Sequence, residues 1–105
     1  MEKNSEIEAL HHIQNRLAEA GHASRLIGGT IFVDLPEPRT CLGVCVAATP
    51  RLEFVGHLHA PPQMSKFIYR ARSIDHLVEQ SLAFLLAAQL IAREVLATEP
   101  LARAI

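Results

Sequence analysis

From Ser73 to Glu99 the chain reads SIDHLVEQSLAFLLAAQLIAREVLATE, most of its longest stretch without glycine or proline. Most of these residues favour helix, and Leu77, Val78, Phe84, Leu85, Ala88, Ile91, Val95 and Leu96 fall into one broad helical stripe. Leu86 and Leu90 lie on the far side of that stripe, and between Leu82 and Ala92 the only polar residue is Gln89. A helix apolar nearly all round needs cover on two sides. A chain of 105 residues forms one domain and supplies one side; a second copy supplies the other. The residues assigned to that contact are Ala83, Leu86, Ala87 and Leu90, with the small alanines allowing close helix approach. Ser73 caps the helix, Asp75 complements its dipole, Pro100 stops it, and LARAI follows as a tail.

The first helix is expected over Ser5–Ala20. Ser5 and Glu8 form a capping box, Ile7, Leu10, Ile13 and Leu17 form the buried stripe, and Gly21 is the C′ residue. His11 and His12 point roughly 100° apart and do not share a ligand. Arg25–Leu35 turns to β character, with Gly28-Gly29 read as a bulge within one strand rather than a hairpin turn. Pro36 and Pro38 break the sheet. Cys41–Ala48 and Leu52–His59 form a hairpin across Thr49-Pro50-Arg51, and Ala60-Pro61-Pro62-Gln63 ends it. Lys66–Arg72 alternates as a short fourth strand, although Met64, Phe67, Ile68 and Ala71 also fit one face of a helix. The fold class is therefore α+β: an antiparallel sheet of three to four strands packed by two helices, in the order α-β-β-β-(β)-α. The strands are apolar on both faces, so a face left open by the helices calls for a partner.

Several function classes are disfavoured. A net charge of −1 gives no field for nucleic acid, and no Trp with a single Tyr leaves few platforms for bases. The α-β-β-β-α order resembles that of double-stranded-RNA-binding domains, but the last helix opens SIDHLVEQ, without their lysine cluster. Met1 leads into a polar, acidic run unlike a signal peptide. The apolar middle of the last helix reads as shorter than the ~20 residues that span a bilayer, so the expected location is the cytoplasm. Cys41 and Cys45 are too few for a disulfide framework. Four residues of strand separate them by roughly 13 Å, beyond disulfide reach, and they read as small buried hydrophobes.

Three residues stand out as binding candidates. His57 and His59 form an HxH pair on one strand face, their side chains about 6.6 Å apart along the strand, and neutral imidazole is a common metal ligand. Glu53 shares that face, and Asp34 joins it if its strand lies alongside. A two-residue loop at Pro50-Arg51 puts the thiols opposite the histidines; a three-residue loop puts Cys41, His57 and His59 on one face. There is no nucleophile elbow and no phosphate-cradling loop. No catalytic residue, metal or cofactor is assigned. The reading that follows is a non-catalytic protein-binding or adaptor module working as a homodimer. Its alternatives are a small-molecule or metal-dependent enzyme using the histidine pair, and a nucleic-acid-binding accessory protein.

Overall fold

The computed structural model describes residues 2–46, 53–60 and 65–104, and the side chains of 5–46, 53–60 and 65–94. Helix α1 (Glu2–Glu19) is followed by β1 (Arg25–Ile27), β2 (Thr30–Asp34), β3 (Cys41–Val46), β4 (Phe54–His59) and β5 (Lys66–Ala71), then α2 (Ile74–Ala104). The five strands form one antiparallel meander in chain order. The expected α+β class holds, with one strand more than the sequence suggested.

The extra strand arises at Gly28-Gly29. Both glycines have positive φ, 58° and 81°, the pair of angles a type I′ hairpin turn requires. The chain therefore reverses, Ile27 facing Thr30 and Arg25 facing Phe32, in place of the expected bulge. A three-residue arm is short, but its far end is tied by Arg25, whose guanidinium donates to both Asp34 carboxylate oxygens at 3.2 and 2.9 Å.

Both helices cover one sheet face. Ile31, Val33, Leu42, Val44, Phe54 and Ala71 point to that face and meet Ala9, Leu10, Ile13 and Leu17 of α1 and Leu77, Val78 and Leu85 of α2. On α1, Ala9 takes the place expected of Ile7, which is exposed. The helix also begins before Ser5, so the capping box lies within its first turns rather than at its end. Its C-terminus follows expectation. Gly21 has φ 93°; its N–H donates to Ala18 C=O, and His22 N–H to Leu17 C=O, both at 2.9 Å. That is the Schellman pattern. Ser73 caps α2, its hydroxyl accepting from His76 N–H at 3.1 Å, and Asp75 receives a 2.7 Å bond from Arg16 of α1.

Two further expectations for α2 are corrected. The helix passes Pro100 and runs to Ala104; a proline removes one backbone bond, here about one turn from the helix end, and the neighbouring Leu and Ala residues favour helix. The segment Ile74–Glu94, 21 residues at mean hydropathy 1.2, is also long and apolar enough, by length and composition, to cross a membrane. Its first half is nonetheless core: Leu77, Val78, Ser81 and Leu85 are buried.

Tyr69 locks α2 to the sheet. Its ring lies over Gly56 of β4, where an added Cβ would overlap the ring carbons, and its hydroxyl shares a 2.6 Å hydrogen bond with buried Ser81. Burial pushes the phenol above its ordinary pKa, partly offset by the Ser81 bond. A phenol whose pKa is raised on folding favours the folded state at pH below its unfolded value. That contribution is lost as pH rises from about 10 through the folded value. Urea midpoints of the native chain are expected to fall over this alkaline range, and Tyr69→Phe to flatten the fall.

Candidate functional site

The register settles which side chains share the open face of the sheet. Cys41 pairs with His59, Gly43 with His57 and Cys45 with Val55, the register of the three-residue loop, although Thr49-Pro50-Arg51 themselves lie outside the described residues, as do Pro61–Met64. Cys41, Cys45, His57 and His59 thus lie on one face, opposite the helices. Both cysteines are free. Burial raises the pKa of each thiol; at Cys41, Arg25 pulls it down and Asp34 pushes it up. Alkylation of either by iodoacetamide near neutral pH is expected to be slower than that of an exposed cysteine, because less thiolate is present.

Four rings form a row across this face. Phe32 of β2 meets His59 edge-on at 5.3 Å between centroids, His59 lies 6.3 Å from His57, and His57 meets Phe67 of β5 edge-on at 6.1 Å. Two local features of the sequence build the row. Gly43 carries no side chain, and the His59 ring occupies the space above it; an added Cβ would lie 2.5 Å from Nε2. A register shift then opens between Gly56 and His57, so that Gly56 faces Tyr69 while His57 faces Phe67, leaving Ile68 as the extra residue. Without that bulge Phe67 would point to the core with Tyr69 and Ala71. With it, Phe67 is 56% exposed on the open face and lies beneath Arg70, 5.9 Å from ring centre to guanidinium carbon.

The candidate acid–base group does not assemble. Glu53 lies at the opposite end of β4 from His59, buried, with Arg70 and Arg72 each 3.6 Å from one of its oxygens. Asp34 of β2 is held by Arg25 of β1 and has Cys41, not a histidine, as its cross-strand neighbour on β3. His59 Nδ1 is bonded to Ser65 Oγ at 2.8 Å. Among the described residues no group of three or more His, Cys, Asp or Glu side chains is placed to hold a metal ion. A shallow cleft of about 640 Å³ opens beside His59 and Cys41, bounded by Phe32, Arg25 and Arg39.

The second candidate surface is on α2. Ala83, Leu86, Ala87 and Leu90 are all exposed, Leu86 and Leu90 by 56% and 49%. Helix α1 packs on α2 without covering them. Ile91, expected in the core stripe, is 62% exposed, because the stripe continues beyond Leu85, the last of the described α2 side chains in the core. Val95 and Leu96 of that stripe lie outside the described side chains.

No protein-family model, curated protein or solved structure matches this chain.

Proposed function

We propose that this chain is a non-catalytic protein-binding module that works as a homodimer, with α2 as the contact between copies and the open sheet face as the surface offered to a partner. The apolar far face of α2 carries the reading. Leucines at that exposure on one helix face form a contiguous apolar patch of the kind that marks association sites, and pairing with a second copy is the commonest way to cover one.

The ring row Phe32–His59–His57–Phe67 supports the second half of the proposal. Aromatic rings on a rigid sheet suit an apolar segment of another protein. Addition of a strand is the weaker mode, since β1 has three residues and β5 carries Lys66, Arg70 and a bulge, features that blunt a sheet edge. A cytoplasmic location fits two thiols left unpaired.

Sedimentation equilibrium of the purified chain over a wide concentration range tests the dimer, with twice the chain mass expected. A monomer throughout overturns the proposal. A fluorescent apolar dye tests the open face: the dimer is expected to bind it, and Phe32→Ser with Phe67→Ser to remove the binding.

A further inference from the structure

We infer that two copies pair through α2 in antiparallel fashion, about a two-fold axis at Leu86, with Glu79 of each copy answered by the partner's Arg93. The inference rests on the homodimer proposed above and specifies its geometry. Glu79, Ala83, Leu86, Leu90 and Arg93 recur at spacings of four, three, four and three, and all five are exposed. That is the seam spacing of a helix packed lengthwise on another. At 100° per residue the five lie within about 80° of arc. They face away from Leu77, Ser81 and Leu85, which hold α2 to the body. A second helix can therefore lie along the seam without meeting the sheet.

The charges choose the direction. Glu79 and Arg93 stand two turns before and two turns after Leu86. Among the described residues neither has a hydrogen-bond or ion-pair partner. Parallel pairing would set Glu79 against Glu79 and Arg93 against Arg93. Antiparallel pairing about Leu86 sets Glu79 against Arg93 at both ends, and brings small Ala83 beside the partner's Leu90. The apolar centre with a charged pair at each end supplies both the adhesion and the orientation.

Charge reversal tests this arrangement. Glu79→Arg alone, or Arg93→Glu alone, puts like charges together twice per dimer. Each is expected to raise the dimer Kd about tenfold at low salt. The double variant Glu79→Arg with Arg93→Glu restores opposite charges and is expected to return Kd to within about twofold of the native value. Both substitutions are at exposed positions, and circular dichroism checks that the fold is kept in all three variants. A dimer whose single variants show no rescue in the double overturns the antiparallel geometry and leaves the homodimer standing. A native chain that is monomeric overturns both.

Discussion

Gly56→Ala is expected to destabilise the folded chain by about 3 kcal/mol, lowering the melting temperature by roughly 12–20 °C at fixed protein concentration. The effect follows from what lies above the glycine. An added methyl would overlap the Tyr69 ring, which is rigid, half-buried and fastened to Ser81 through its hydroxyl. The ring has no small adjustment that relieves the overlap while keeping that bond. It must turn away, which removes part of its burial against α2 and leaves the Ser81 hydroxyl to its own helix backbone. Gly43→Ala is the control. Its added methyl also meets a ring, but His59 is partly exposed and held by one bond to the exposed Ser65 hydroxyl. The imidazole can swing out toward solvent, at a cost of about 1 kcal/mol. In a Tyr69→Leu background the cost of Gly56→Ala is expected to fall by half or more, since the rigid neighbour is gone. Equal effects at the two glycines would show that Tyr69 does not fasten α2 to the sheet.

Another pair of glycines, Gly28 and Gly29, marks a limit of what the sequence made legible. Helix stripes repeat every three or four residues and strands every two, so both helices and the central hairpin could be read from spacing alone, whereas Lys66–Arg72 fitted strand and helix spacing alike. Gly28-Gly29 could not be read that way. A pair of glycines serves a bulge or a type I′ turn equally well, and the turn shows only in the backbone angles and strand pairing, with an Arg25–Asp34 ion pair across the short arm. The position of Phe67 was hidden for a related reason. Alternation assigns it to the core face with Tyr69 and Ala71, and one extra residue at Ile68 reverses it. The ring row was therefore only half visible: His57 and His59 announced themselves by their spacing, while Phe32 and Phe67 join them through register and a bulge. On α2 the bare leucines were legible, because a helix apolar all round exceeds what one short chain can cover. Glu79 and Arg93 carry a signal that spacing could have exposed, since they extend the pattern of Ala83, Leu86 and Leu90 by one step at each end.

Leu86→Glu is expected to abolish the proposed homodimer, raising Kd at least a hundredfold and giving a monomer at working concentrations, with the helical and strand signal of the protomer retained. Within one copy Leu86 touches little, being 56% exposed, so a polar side chain there costs the folded protomer almost nothing. In the proposed dimer it lies on the two-fold axis. The substitution removes the apolar centre of the seam twice, at up to ~1.5–3 kcal/mol for each fully buried leucine. It also sets two carboxylates against each other, a repulsion of roughly 4 kcal/mol at 4 Å separation near a protein surface. Ile91→Glu separates this cause from a general loss of hydrophobicity. Ile91 is slightly more exposed than Leu86 and is removed by roughly 140° around the helix, so the same charge there is expected to change Kd only a few-fold. If Ile91→Glu breaks the dimer and Leu86→Glu leaves it intact, the contact runs along the side of α2 that continues the core stripe past the sheet, and the seam through Leu86 is not the interface.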